Sequence, residues 1–382
     1  MLINIGFAMK IYRGLTPIST QFHLIKLDAS LASAVTFVIC YIPQNSIGGS
    51  KMGRQTVVII AALTFCIISL GGTSASQGTD QMPGVWGEIG KEYTIGGTSP
   101  MNFSLNSAEF TVAQVRIGKE VFFPLASEKF LVLHFTIHNP QKTAQQAAWN
   151  TFNITAIDAS DNSCEYSKKV AQEKDSTSLN LSLKPAQRID TYTYIRVPAE
   201  GVIPKLIVQR GSNNPVVRFD LKDKVKPLAA PFADTSDTTG STALTEVPSQ
   251  FETYYPLGFN DLKVMSAAYA DQPVLKEKPA AGYRFMVVTV SIKNMDVKER
   301  KVGRTTFKPK LVAEDGEELK WKEALVHATR AEALIDVTAK PGQEMQARFY
   351  FLVRTDTPAK TLSIQEGSKG RMYLFDMSKI GD

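Results

Sequence analysis

His134 and His138 are the first side chains in this sequence whose pairing suggests metal chemistry. They stand in the stretch FLVLHFTIHN (130–139), where Leu131, Leu133, Phe135 and Ile137 alternate with His134, Thr136 and His138. Such alternation marks a β-strand with one buried and one wetter face. On a strand rising about 3.3 Å per residue the two imidazoles are some 13 Å apart, beyond the span of one first-row ion. They read as solvated histidines of a sheet face, and no metal ligand is assigned. Asp158, Asp161 and Asn162 offer oxygens for calcium, but without the spacing of an EF-hand loop they read as a turn. After residue 76 the only cysteine is Cys164, because Cys40 and Cys66 precede it. A disulfide within the exported chain is therefore excluded, and no neighbouring base activates the thiol.

The sequence holds no G-x-S-x-G elbow, Walker loop, H-E-x-x-H or C-x-x-C, so no catalytic residue and no cofactor is expected. Gly84-x-x-Gly87 and Gly96-Gly97 are too sparse to cradle a phosphate and read as turns. One constellation points to recognition instead. On the strands 191–197 and 347–353, Thr193, Ile195 and Val197, and Phe349, Phe351 and Val353, fit a core face. That turns Tyr192, Tyr194, Arg196, Arg348 and Tyr350 to the opposite face, and Tyr and Arg dominate binding hot spots. Cross-strand pairing within the sheet explains the same residues without a ligand.

The elements that must position these groups come in two copies. FMVVTVSIKN (285–294) repeats the pattern of 130–139 at a spacing of 155 residues, and Thr151-Phe152 returns as Thr306-Phe307. At a spacing of 156, Lys184-Pro185 meets Lys340-Pro341, Gln187 meets Gln343, and Gln209 and Gly211 meet Gln365 and Gly367. A period this long repeats a whole domain rather than a solenoid unit. Within each copy seven or eight short antiparallel strands with turn signals read as a sandwich. Asp315-Gly316 is a tight hairpin turn, with Asp161-Asn162 in its place in copy one. Residues 322–334 alone read as helical.

The strands 130–139 and 285–294 ending in Asn, the turns at Pro185–Gln187 and Pro341–Gln343, and the strands that follow them resemble the secreted bacterial immunoglobulin-like domains of unknown function that include a mycobacterial secreted antigen. The resemblance spans residues 90–222 and 251–378. It implies an exported, noncatalytic sandwich that binds a ligand or partner.

Charge and hydropathy supply the cellular address. The chain has 382 residues with 43 basic and 37 acidic groups. Residues 1–76 hold five of the basic groups and one acidic group, which leaves 38 against 36 elsewhere. No basic stripe suits a nucleic acid. Lys51 and Arg54, the apolar run 57–70 and the small residues 71–76 form a secretory signal peptide. The run is shorter than the ~20 residues a membrane span needs. Met52 then reads as the true start, with 1–51 a non-native upstream extension.

The sequence thus predicts an all-β protein: a signal peptide (52–76), an immunoglobulin-like sandwich with an N-terminal extension (77–222), a flexible linker (223–250) and a second sandwich (251–382). The linker assignment rests on Pro, Ser, Thr and Asp without apolar periodicity. The expected function is a noncatalytic binding or adhesion module, secreted or in the periplasm or cell envelope, with a protein or envelope ligand as partner. The alternatives are a membrane-tethered accessory protein held by an uncleaved segment, and a hydrolase with distant carboxylates.

Overall fold

Alternating apolar residues dictate strands, and both copies of the alternating stretch form the centre of a sheet. The computed structural model describes residues 83–322, 324–329, 332–333 and 337–380. The signal segment and the upstream extension lie outside these residues. All regular elements among the described residues are strands, and none is a helix long and apolar enough to cross a membrane.

In domain one, one five-stranded sheet runs in the order β1 (Gly84–Gly87), β14 (Val216–Asp220), β13 (Lys205–Gln209), β8 (Asn153–Ile157), β9 (Ser163–Glu165). The other runs β10 (Ala171–Gln172), β12 (Arg188–Pro198), β6 (Glu128–His138), β3 (Met101–Thr111), β2 (Glu92–Ile95). Smaller pairs are β4 (Val115–Ile117) with β5 (Glu120–Phe122), and β7 (Gln145–Ala148) with β11 (Asn180–Leu183). Domain two repeats the plan. Its sheets run β15 (Glu246–Ser249), β26 (Met372–Asp376), β25 (Ala359–Glu366), β20 (Phe307–Ala313), β21 (Glu318–Leu319), and β16 (Tyr254–Leu257), β17 (Asn260–Ala270), β18 (Tyr283–Asn294), β24 (Glu344–Arg354), β22 (Val326–His327). A separate pair joins β19 (Arg300–Val302) to β23 (Val337–Ala339).

The expected core faces are the observed ones. Leu131, Leu133, Phe135 and Ile137 of β6 and Ile195 and Val197 of β12 pack across to Ile154, Leu206, Val208 and Phe219 of the facing sheet. Met286, Val288, Val290 and Ile292 do the same in domain two, with Phe349, Phe351 and Val353. Burying two apolar faces against each other supplies the main stabilising term of a sandwich.

The repeated turn residues have repeated work. Asn139 and Asn294 are fully buried at the ends of β6 and β18. The Asn139 side-chain amide donates to the carbonyls of Thr143, Leu183 and Lys184, and that of Asn294 to Lys298 and Ala339. Ala186 and Gly342 occupy the same left-handed turn position, at φ 59° and 73°. Each donates its N–H to the Asn carbonyl, at 2.9 and 2.8 Å. The hairpin at Asp158–Asn162 forms as expected, with Asp158 Oδ1 accepting the N–H groups of Ser160 and Asn162.

Several expectations are corrected. Gly84 and Gly87 lie in a strand, not a turn. β1 pairs in parallel with β14, and a Cβ on Gly84 would meet the Val216 carbonyl oxygen at 2.2 Å. β15 and β26 repeat this parallel edge, so the sandwiches are not purely antiparallel. The described part of 322–334 forms strand β22 and a bridge from Val326 to Ala333 rather than a helix; tertiary pairing with β24 overrides local propensity.

Residues 223–250 are packed rather than free. Leu228, Ala243 and Val247 are buried, Lys226 exchanges backbone hydrogen bonds with Ala108 and Phe110, and Ala243 donates to Ala199. Phe232 packs against both domain cores. Lys129, 0% exposed, pins this strap. Its ammonium donates to the carbonyls of Ala199, Gly201 and Ser241 at 3.0, 2.6 and 2.6 Å. Burial pulls its pKa down to about 8, against the opposing pull of Asp237.

Candidate functional site

The expected recognition face is covered. Tyr194 and Tyr350 are only 2% and 4% exposed. The β4–β5 hairpin lies over the first, burying it with Phe130, Val132, Val115 and Ile117. Val274 and Val326 cover the second beside Phe285. The sheets of β6 and β18 are thus buried on both faces at these residues, and alternation alone reports only which side a residue takes. Tyr192 is half-buried and donates its hydroxyl to the Arg116 carbonyl. Arg348 is half-buried and reaches the Tyr350 hydroxyl at 3.4 Å. Arg196 is exposed, and its guanidinium binds Glu128 Oε2 at 2.8 Å and the Phe123 carbonyl at 3.1 Å.

The sheet-face histidines are half-buried and each has a carboxylate partner: Glu173 for His134 and Glu92 for His138, the latter at 3.1 Å. Among the described residues no group of three or more His, Cys, Asp or Glu is placed to hold a metal ion. Cys164 is free and half-buried, and burial pushes its thiol pKa up, away from reactivity.

Arg196 leads to a site that the sequence did not reveal. Within the segment it positions, Phe123 to Leu125 form one wall of a cleft of about 230 Å³ where the two domains meet. Val112, Phe123 and Leu125 face Pro256, Leu257 and Glu366 across it. The walls are held by contacts from both sides. Phe123 stacks edge-on against Phe259 at 4.8 Å. Gln114 Nε2 donates to the carbonyls of Gly258 and Asn260 and to Asp261 Oδ1, at 3.1, 3.0 and 3.2 Å. The buried guanidinium of Arg371 donates to the carbonyls of Leu244, Ala126 and Glu128, and the Ala126 N–H donates to the Lys369 carbonyl.

Glu366 ends β25 at the turn to β26, and its carboxyl lies against the backbone of Gly258 in the β16–β17 turn. Gly258 has φ 61°, and a Cβ there would fall 1.2 Å from Glu366 Oε2. Both the turn and the carboxyl therefore require glycine. Burial raises the Glu366 pKa to about 7, and the charge of Arg300 opposes the rise only in part. Arg300 is committed elsewhere, stacked 3.6 Å over Phe259 and paired with Asp296. An acid with a perturbed pKa in a cleft is a functional-site signature. A Glu before Gly at a hairpin tip looks like any solvated turn in sequence. The signal that could have found it is the repeat, which places Glu366 against Arg210.

The fold defines the protein as a tandem β-sandwich. Within it, residues 257–371 match the family model described as Domain of unknown function (DUF4352), which bears out the expected kind of family over the second domain. Solved structures similar to the chain include an uncharacterized beta-sandwich protein from Clostridium difficile 630, 16% identical over 36% of this chain and 96% of that one, TM-score 0.28. A secreted protein of Mycobacterium tuberculosis, MPT63, is similar at 16% identity over 36% and 97%, also with TM-score 0.28. No curated protein matches the chain.

Proposed function

We propose that this chain is an exported, noncatalytic binding protein that recognises a protein or envelope ligand through the cleft at its domain junction. The observation that carries the reading is a cleft walled by both domains, held by Gln114 and Arg371, that keeps the Glu366 carboxyl without a hydrogen-bond partner among the described residues. Fixed walls around a half-buried polar group favour recognition, because little is spent on ordering the site when a ligand enters. The apolar run 57–70 supports export. Mature protein beginning near Gln77 in the secreted or envelope fraction is expected; full-length protein in membranes would instead favour the tethered form.

Recognition is tested by placing a photo-crosslinking residue at Ser368, on the rim of the cleft, and at Ser212, its counterpart on the tip of domain one, in the full chain. Crosslinks to an envelope component at Ser368 and not at Ser212 are expected. Equal patterns at both positions would sink the assignment of the cleft.

A further inference from the structure

The duplication places a reversed charge at the same point of each domain. Between the matched Gln209 and Gly211 of domain one stands Arg210, and between Gln365 and Gly367 of domain two stands Glu366. The opposite loop corresponds as well. The β-bulges of β3 and β17, at Leu105/Ser107 and Val264/Ser266, set a spacing of 159 residues that aligns Ser99 with Gly258. In domain one the Arg210 stem runs beside Gly96 and its guanidinium lies 6.0 Å from the Phe152 ring. Its Nε donates to the Ser99 carbonyl at 2.8 Å and its Nη1 to the Thr151 carbonyl at 3.1 Å. A cation on an aliphatic stem fills this tip from within. In domain two no hydrogen bond joins Glu366 to such a cation among the described residues, and apolar side chains of both domains, Val112 and Leu125 from one and Leu257 from the other, line the same cleft.

We propose that the cleft binds an alkylguanidinium or alkylammonium group, as on an arginine or lysine side chain of a partner, with its charge on the Glu366 carboxylate and its methylene stem along Val112, Leu125 and Leu257. This rests on the reading of the cleft as a recognition site. The Glu366 carboxylate, half-buried and partly withdrawn from water, gains from a counter-ion because the local dielectric is lowered. Apolar walls suit the stem of such a side chain, whose charged end alone needs a polar partner. At about 230 Å³ the cleft is below the range of drug-sized pockets and fits one long side chain. The other charged groups are committed or peripheral. Arg300 pairs with Asp296, Asp261 accepts from Gln114, and Arg371 is bound to three carbonyls. Lys369 is exposed on the rim.

Calorimetric titration of the full chain with n-butylguanidinium, n-butylammonium and n-butanol tests the proposal. Both cations are expected to bind saturably and butanol not. Glu366→Gln, a near-isosteric change, should weaken the cations at least tenfold. Wild-type affinity should fall on the order of 100-fold from pH 8 to pH 5 as the carboxyl takes up its proton, and the variant should show no such fall. Butanol binding as tightly as the cations, or unchanged cation binding by Glu366→Gln, would overturn the cation assignment. Crosslinking at Ser368 reads the cleft independently: its persistence without cation binding leaves the recognition site standing and removes its cation specificity.

Discussion

The tips of the two domains were made from one template and have diverged in opposite directions. In domain one the loop Gly96–Pro100 is long, and Arg210 folds back onto its Ser99 carbonyl and closes it. In domain two the loop has shrunk to Gly258-Phe259, the basic residue has become Glu366, and the neighbouring domain supplies the missing wall. A scaffold can thus convert a self-satisfied end into an open, charged one by changing one residue and one loop length. The sheets behind both tips stay the same, down to the cation–aromatic pairs Lys129 over Phe110 and Arg284 over Tyr269. The bridges Tyr166 to Ile195 and Trp321 to Phe351 are likewise repeated.

The comparison breaks first at what the domains share. Asn139→Ala should cost about 3 kcal/mol and Asn294→Ala about 2, since each leaves one buried carbonyl and its half-buried neighbours without their donor; urea denaturation reads both, and a loss for one variant alone would disprove equivalent roles. Lys129→Ala should cost roughly 2–3 kcal/mol, because the buried carbonyls of Ala199 and Ser241 and the half-buried one of Gly201 lose their donor. Hydrogen exchange should then rise over residues 237–243. The same exchange pattern with Lys129 intact at neutral pH would refute the pinning role.

Smaller effects sharpen the difference between the tips. Gly258→Ala should cost about 2 kcal/mol from its positive φ and its collision with Glu366. Adding Glu366→Ala should recover about half of that loss, the part due to the collision. The smallest effect is one of pH. Glu366 titrates near 7 in the folded chain and at its ordinary value of 4.5 when unfolded. The folded state therefore holds a proton that the unfolded state has released. The resulting stability is fully present below pH 4.5 and is lost as pH rises through 7. Wild type and Glu366→Gln should melt alike at pH 4, with the variant about 1 kcal/mol more stable at pH 8 after allowing for solvent screening. Parallel melting curves at both pH values would contradict the raised pKa.

The fold was largely legible in the sequence and the cleft was not, and particular residues show why. The alternation of 130–139 names its core face because period two is a local property. The covering hairpin Val115–Phe122 is a tertiary event, so alternation alone leaves Tyr194 on an open face that the hairpin in fact covers. Leu228 and Ala243 are buried and Phe232 half-buried without any period, so composition alone reads the strap as a linker. The repeat was visible only from Phe130 onward. Upstream the spacing changes from 155 to 159 residues because the connection from β3 to β6 is longer than that from β17 to β18, and then to 162 between Tyr93 and Tyr255. Both tyrosines accept a backbone N–H through the hydroxyl, from Glu88 and Gln250.

Phe232 touches both hydrophobic cores, so neither sandwich can loosen without disturbing a ring the other depends on. The chain should consequently melt in a single calorimetric step, and its two halves should resist proteolysis jointly. A mechanical pull on its ends would meet one barrier where an untied pair of beads would show two.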